Sequence, residues 1–152
     1  MDISLDYRDL FKTLNKHKVL YLVIGAYAVA FYTEPRYTKD LDIFASSDMS
    51  NSKKLYKALK DFGAPLKGVF FQDFTNRKMI YQIGVAPVRI DILMGLDGIK
   101  FSNAWKNRKK TYYDGVSINI LGKKELIISK KKTKRHQDIL DIKKLSKFLS
   151  SK

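Results

Sequence analysis

The fold is indicated most strongly by a segment in two parts, which reads YLVIGAYAVA at residues 21–30 and RYTKDLDIF at residues 36–44. Its first part is a short apolar run that is broken at Gly25 and continues with small and aromatic residues. This pattern predicts a buried strand over residues 19–24, a turn at the glycine and a compact helix over residues 26–32. A helix that starts directly after a strand and a glycine presents free backbone N–H groups to an anion. The segment therefore indicates a phosphate-binding turn, although a glycine after a strand is by itself more often an ordinary tight turn.

The second part carries two aspartates, Asp40 and Asp42, in a strand that we predict over residues 39–45. Residues two apart on a strand point to the same side, so both carboxylates face one spot while Leu41 faces the other. A divalent cation would relieve the repulsion between them, and oxygen-only ligands favour Mg²⁺ or Mn²⁺ over zinc. The pair thus indicates a metal site, whereas an isolated Asp-x-Asp motif is more often a feature of an exposed strand.

A third carboxylate is expected from another strand, because two carboxylates rarely hold a pair of metal ions. Asp91 is the candidate, within VRIDILM at residues 88–94. A carboxylate in so apolar a strand requires a partner or a metal, and Asp91 would also be placed to take the proton from an attacking hydroxyl. The alternative is that Asp91 forms a buried salt bridge with Arg89. Two metal ions about 4 Å apart serve phosphoryl transfer by activating the attacking oxygen and stabilising the leaving pyrophosphate.

The rest of the chain predicts helices and strands in alternation. This order indicates an α/β or α+β fold, with a mixed central β-sheet flanked by helices, in a single domain over residues 1–152. Asp114-Gly115 is a strong turn pair between two strands. We predict a first helix that ends near residues 15–18 and a second that runs from an N-cap among residues 50–52 to Gly63. Further helices are predicted over 101–110, over 125–131 and in a C-terminal segment with apolar residues at 139, 142, 145 and 149. The remaining strands are predicted over 69–74, 79–83, 88–94, 112–113 and 116–121.

Charge is the strongest signal in the composition. The chain has 30 Lys and Arg against 15 Asp and Glu, a net charge of +15. The segment from Lys123 to Lys152 holds 11 basic residues against three acidic ones. Polyanions such as RNA are the expected partners of so basic a chain. The alternative is a solvated, lysine-rich surface.

The composition also excludes several classes of protein. The absence of cysteine excludes disulfides and thiolate metal sites, and it favours a reducing compartment, so we expect a cytoplasmic location. No apolar run approaches the ~20 residues of a membrane helix, and the first residues do not form a signal-peptide pattern. We therefore expect a protein that is neither secreted nor embedded in a membrane.

The ordered set Gly25-Ala26, Arg36-x-Thr38 and Asp40-x-Asp42 resembles the signature of the DNA polymerase β-like nucleotidyltransferase superfamily. The resemblance is closest to the branch with the abortive-infection (type IV toxin–antitoxin) nucleotidyltransferases. It implies a palm-like nucleotidyltransferase core and a nucleotide-binding site at Gly25, Ala26, Arg36 and Thr38, with metal ligands at Asp40, Asp42 and Asp91. The family usually has a second glycine or a serine where this chain has Ala26, so a hydroxyl contact to phosphate is lost. Arg36 could equally hold its loop in place, and Thr38 could serve as a hydrogen bonder at the strand start.

That branch also has a C-terminal lysine followed by an Arg-x-x-Asp-like element, which Lys130, Arg135 and Asp138 match. The resemblance implies that Lys130 and Arg135 contact the triphosphate, and that Asp138 orients Lys130 or assists the base. Without it, Lys130 would be one lysine in a basic run. Asp138 and Asp141 would then be ordinary partners of nearby helical bases.

The leading hypothesis is an NTP-dependent enzyme that transfers a nucleoside monophosphate to a hydroxyl. The acceptor would be an RNA end, such as that of a tRNA, or a protein side chain, and the charge favours RNA. The enzyme could act as a toxin. The alternative is a catalytically degenerate nucleotidyltransferase fold that binds RNA or serves as one half of a toxin–antitoxin pair.

Overall fold

The computed structural model describes residues 6–34, 40–85, 88–133 and 136–147, with the side chains at 132–133 and 136–138 excepted. Within these residues, none of the helices combines the length and the apolar character needed to cross a membrane. The elements are, in chain order, α1 (Tyr7–Lys16), β1 (Tyr21–Ile24), α2 (Gly25–Tyr32), β2 (Asp40–Ala45), α3 (Met49–Phe62), a 3₁₀ helix (Phe71–Thr75), β3 (Ile80–Val85), β4 (Val88–Leu93), α4 (Phe101–Lys106), β5 (Lys109–Tyr113), β6 (Val116–Ile120), α5 (Lys123–Thr133) and α6 (His136–Lys147).

The six strands form one mixed sheet in the order β3-β4-β2-β1-β6-β5. β2 pairs with β4 and β1 with β6 in parallel, and the other three pairs are antiparallel. Helices flank the sheet, so the predicted fold class is confirmed. The central strands β1 and β2 come from the segment quoted at the start, and Gly25 of that segment lies at the edge of the sheet where β1 ends.

The two faces of β2 and β4 differ in chemistry. Leu41 and Ile43 pair with Ile90 and Ile92, and all four side chains are buried. Each such side chain contributes about 1.5–3 kcal/mol of hydrophobic stabilisation. Because side chains alternate along a strand, this apolar face fixes the register and turns the acidic residues of both strands to the opposite face.

Two predicted boundaries of α3 have different outcomes. Gly63 closes the helix in a left-handed conformation, as predicted. The predicted N-cap among residues 50–52 is wrong, because the cap is Asp48, whose carboxylate accepts a hydrogen bond from the backbone of Asn51. Asn51 is buried instead and holds Leu20 and Ser46 through their backbones.

Two further predictions about elements are wrong. Residues 69–74 do not form a strand, since Phe71–Thr75 is a 3₁₀ helix whose start is fixed by Asp73 accepting from the Phe70 N–H. The helix predicted over 101–110 ends at Lys106. Asn107 and Arg108 turn back to the carbonyls of the preceding turn, which frees the chain to enter β5 at Lys109.

The last helix buries part of the stripe that its apolar spacing indicates, together with a carboxylate. Asp141 and Leu145 are fully buried, whereas Ile139 is 46% exposed. Leu149 lies outside the described residues. A buried carboxylate on α6 requires a partner in the protein, and that partner belongs to the site described next.

Candidate active site

The register of β2 and β4 brings the three aspartates together. Asp42 lies directly opposite Asp91 on the neighbouring parallel strand, and Asp40 lies opposite Arg89. All four side chains are on the same face of the sheet. They line a cleft of about 370 Å³, together with Gly25 and Lys130.

Arg89 bridges two of the carboxylates. Its Nε lies 3.1 Å from Asp91 Oδ1, and its Nη2 lies 4.0 Å from Asp40 Oδ2. The shorter approach is an ion pair by distance but is not aligned as a hydrogen bond. Asp91 Oδ1, Asp40 Oδ1 and Arg89 Nε are all buried and have no hydrogen-bond partner within the described part of the chain. The salt bridge considered from the sequence is therefore present, but it leaves carboxylate oxygens unsatisfied.

The surroundings of Asp42 disfavour its negative charge. Burial, and then the charges of Asp91 and Asp40, raise the pKa of the Asp42 carboxyl from 3.8 to about 6. Lys130 and Arg89 act in the opposite direction but do not compensate. Three carboxylates share the cleft with Arg89 and Lys130, and Lys130 also pairs with Asp141.

The donor set fits a divalent cation in its chemistry. The carboxylates offer oxygen ligands only, and two of their buried oxygens have no hydrogen-bond partner in the described part of the chain. As the side chains stand, no three acidic, histidine or cysteine side chains of the described residues converge closely enough to hold a metal ion. Arg89 already bridges two of the carboxylates, so metal binding requires its guanidinium to move aside.

Gly25 brings the start of α2 against this cluster. Its φ of +69° is in the left-handed region, and a Cβ at this position would lie 2.4 Å from Asp42 Oδ2. Only glycine meets both conditions without strain. The preceding Ile24 supplies no side-chain cap. Ala26 follows in the first turn of α2, and phosphate binding by this turn stays a prediction.

Lys130 reaches the cleft from α5 and is held there by α6. Its Nζ lies 3.2 Å from Asp141 Oδ2, and only 11% of its side chain is exposed. Asp141 is fully buried. Lys130, on the neighbouring helix, is thus a partner of Asp141, whereas the sequence favoured bases close to it in the chain. Asp138 is on the same helix, but its side chain lies outside the described residues, so its role stays a prediction.

Three other predicted nucleotide-binding residues, Arg36, Thr38 and Arg135, also lie outside the described residues. Conversely, Gln82 was not predicted as a site residue. It lines the cleft because β3 pairs it with Asp91. The signal in the sequence is a single amide side chain within the otherwise apolar and aromatic run of β3. The pairing partner of β3 cannot be read from it.

Comparisons with known proteins identify the family of the chain. A family model described as "Nucleotidyl transferase of unknown function (DUF2204)" matches residues 3–152. No protein of curated function matches the chain in sequence.

Two solved structures share the fold. The lincosamide antibiotic adenylyltransferase LnuA, in its lincomycin-bound form, has a TM-score of 0.57 and 18% identity, over 94% of this chain and 98% of its own. A candidate nucleotidyltransferase from Thermotoga maritima has a TM-score of 0.55 and 15% identity, over 96% of this chain and 91% of its own. At these identities the likeness concerns the fold alone, and the abortive-infection branch stays a prediction. Since the family model spans nearly the whole sequence, the chain belongs to the nucleotidyl transferase family of unknown function (DUF2204) and is a nucleotidyltransferase by family.

Proposed function

We propose that the protein transfers a nucleoside monophosphate from an NTP to an acceptor hydroxyl, with Mg²⁺ or Mn²⁺ held by Asp40, Asp42 and Asp91. One observation carries the proposal. Asp42 and Asp91 oppose each other in register, beside a left-handed glycine that opens a helix, and buried carboxylate oxygens of the cluster have no hydrogen-bond partner within the described residues. Such a cluster is stable with bound cations and costly without them.

The chain's own groups have separate roles in this proposal. The acceptor oxygen attacks the α-phosphorus, the bond to the bridging oxygen breaks, and pyrophosphate leaves. Asp91 takes the hydroxyl proton as general base. A bound divalent cation supplies charge neutralisation on the phosphates and lowers the pKa of the attacking hydroxyl.

The triphosphate is bound by backbone N–H groups at Gly25 and Ala26 and by Lys130. Lys130 is well prepared for this role, because its ion pair with buried Asp141 fixes the position of its ammonium group at the cleft. On the family resemblance, Arg36, Thr38 and Arg135 complete the nucleotide site and Asp138 assists Lys130.

We propose RNA, such as a tRNA end, as the acceptor, and a protein side chain as the alternative already considered. The net charge of +15 supports RNA, because so basic a protein attracts the phosphates of a polyanion and binds them more tightly. A toxin paired with an antitoxin would be consistent with this chemistry. A degenerate RNA-binding module is the competing proposal, and retention of three clustered aspartates argues against it.

A small-molecule acceptor is the second candidate. It is favoured by an apolar cavity of about 270 Å³ between α2 and the β5–β6 hairpin, lined by aromatic side chains that include Phe11, Tyr27, Phe31 and Tyr113. LnuA, which shares the fold, is named for adenylyl transfer to a lincosamide antibiotic. An acceptor with an aromatic or alkyl body would fill such a cavity.

The experiment is label transfer from each α-labelled NTP, with Mg²⁺ or Mn²⁺, to total RNA, to protein or to a panel of small hydroxyl compounds. We expect wild-type protein to label one of these classes and Asp42→Asn to lose the activity. Asp97→Asn, at an exposed aspartate outside the cluster, is the matched control and should stay active. Absence of transfer from every NTP to every acceptor would contradict the proposal, and full activity of Asp42→Asn would remove the metal site from it.

A further inference from the structure

A second polar cleft lies where α4 and β5 meet the start of α5. It has a volume of about 470 Å³. Five bases and one acid line it, and we call it the basic cleft. These residues are Lys106, Arg108, Lys109, Lys123, Lys124 and Glu125.

The single acid of the basic cleft is used inside the protein. Asn107 Nδ2 donates to Glu125 Oε1 at 2.6 Å. Gly122 allows this close approach, because a Cβ there would lie 2.7 Å from Glu125 Oε2 and 2.9 Å from the Asn107 carbonyl oxygen. The hydrogen bond fixes the start of α5 to the end of α4. It also engages the carboxylate of Glu125, which is one acid against five bases in the lining.

Arg108 is a fixed cation in this cleft. Its guanidinium lies 3.9 Å from the centre of the Trp105 ring, and its Nη1 donates to the Trp105 carbonyl at 2.8 Å. Its Nε is buried and has no hydrogen-bond partner among the residues that the structure describes. A planar guanidinium that is already held in place loses little conformational entropy when it binds a phosphate.

The basic cleft lies at the same edge of the sheet as the cleft lined by Asp40, Asp42 and Asp91, which we call the catalytic cleft. Val23 pairs with Ile120, which pairs in turn with Lys109, so the end of β6 and the start of β5 lie beside the end of β1. Helix α5 connects the two clefts, since Lys124 lines one and Lys130 the other. Six residues of α-helix span about 9 Å. A nucleic acid strand bound in the basic cleft would therefore lie within reach of the reacting phosphate.

We propose that the basic cleft binds the phosphate backbone of the RNA acceptor and positions its hydroxyl at the catalytic cleft. The role of this RNA as the acceptor rests on the proposed function, whereas RNA binding by the basic cleft does not. Several lysines around a fixed arginine suit the regularly spaced phosphates of a nucleic acid strand. An acidic protein segment is the other polyanion that could bind here, and the test separates the two.

The experiment measures binding of a single-stranded RNA of mixed sequence, without NTP, as a function of salt concentration. The cleft variant is Lys106→Gln/Lys109→Gln/Lys124→Gln, at three exposed lysines. The matched control is Lys54→Gln/Lys57→Gln/Lys60→Gln, at three exposed lysines of α3 that line none of the clefts described above. Both variants lose the same charge at exposed positions, so we expect both to keep the fold.

We expect the cleft variant to bind RNA at least about tenfold more weakly and to lose about two units of the salt slope, since each neutralised phosphate of a single strand contributes about 0.7. The control should stay within about twofold of wild type. Equal binding by both variants would overturn the proposal. So would binding of polyglutamate as tight as that of RNA. Pyrophosphate release from NTP with Mg²⁺, measured separately, tests the proposed function, so that its failure would not be confused with a failure of the RNA site.

Discussion

Arg89 bridges Asp91 and Asp40 in the cluster where the proposed cation would bind. The two cannot occupy the same space, so metal binding must displace the guanidinium from one or both carboxylates. We therefore predict that Arg89→Gln increases the affinity for Mn²⁺ about fivefold, which corresponds to about 1 kcal/mol for the ion pair that no longer competes. The measurement is a Mn²⁺ titration that is monitored by electron paramagnetic resonance.

The control for Arg89 is Arg77→Gln, which removes the same charge from an exposed position outside the acidic cluster. Its Mn²⁺ affinity should equal that of wild type. Weaker Mn²⁺ binding by Arg89→Gln would show that the arginine supports the metal site and does not compete for it.

Gly25 is tied to the cluster by its geometry. Alanine at this position would have to adopt a left-handed φ and would place its Cβ 2.4 Å from Asp42 Oδ2. Gly63 provides a matched control, because its φ of +93° is also left-handed but a Cβ added there would have no atom within 4 Å. Both substitutions cost about 1–2 kcal/mol of stability from the backbone alone.

Only the change at Gly25 also displaces a carboxylate. We predict that Gly25→Ala weakens Mn²⁺ binding by more than about tenfold, which is more than about 1.4 kcal/mol, while Gly63→Ala leaves it unchanged. Calorimetric titration of both variants, with their urea unfolding, separates the two effects. Equal Mn²⁺ affinities would mean that Asp42 yields to the methyl group or does not bind the metal.

At the scale of the element, the sequence indicates most strands and helices of the described chain because their apolar periods are clear. The β5–β6 hairpin is an example, since Asp114 and Gly115 both have the positive φ that their turn requires. The strand predicted over 69–74 fails for the opposite reason. Its aromatic residues satisfy a strand pattern, but Asp73 caps a short 3₁₀ helix that buries Phe74 locally.

The candidate site divides in the same way. Asp40 and Asp42 can be predicted to share a face from their spacing alone, and Asp91 is conspicuous in an apolar strand. Sequence does not show that β4 lies parallel to β2 with Asp91 opposite Asp42, since register depends on the whole sheet. Nor does it show that Asp141 pairs with Lys130. Such a contact between helices depends on how α5 and α6 pack.

The contact between α5 and α6 includes this buried ion pair. Replacing Asp141 leaves the Lys130 ammonium buried without its carboxylate, and breaking a buried pair costs about 3 kcal/mol. We predict that Asp141→Asn loses this much stability in urea unfolding and also raises the KM for NTP. Glu34→Gln, which removes an exposed partner of Lys144, should change stability by less than about 0.5 kcal/mol.

A second variant distinguishes a structural role from a positioning role. In Lys130→Met/Asp141→Leu both charges are replaced by apolar groups of similar size, so much of the stability should return while NTP binding stays weak. If this variant bound NTP as well as wild type does, Lys130 would not contact the triphosphate.

At the scale of the whole molecule, we propose that the 152 residues form one folding domain. The sheet supports this, because it joins distant parts of the chain. Its two central strands, β1 and β2, come from the first third of the chain, and β1 pairs with β6, which directly precedes the C-terminal helices. The basic C-terminal helices also hold Lys130 at the cleft. Neither half of the described chain has a sheet of its own that is complete without the other.

A single cooperative transition follows from this arrangement. We predict that urea unfolding monitored by Trp105 fluorescence, which reports on α4, coincides with unfolding monitored by far-ultraviolet circular dichroism, with a slope of about 2 kcal/mol per molar. The Asp141→Asn variant is the informative comparison, because its fluorescence and circular dichroism transitions should still coincide and both move to lower urea concentration. An early loss of helix in wild-type protein would show instead that the C-terminal helices are a separate unit. In that case Lys130 would reach the catalytic cleft only in part of the folded population, and NTP affinity would fall with urea before the sheet unfolds.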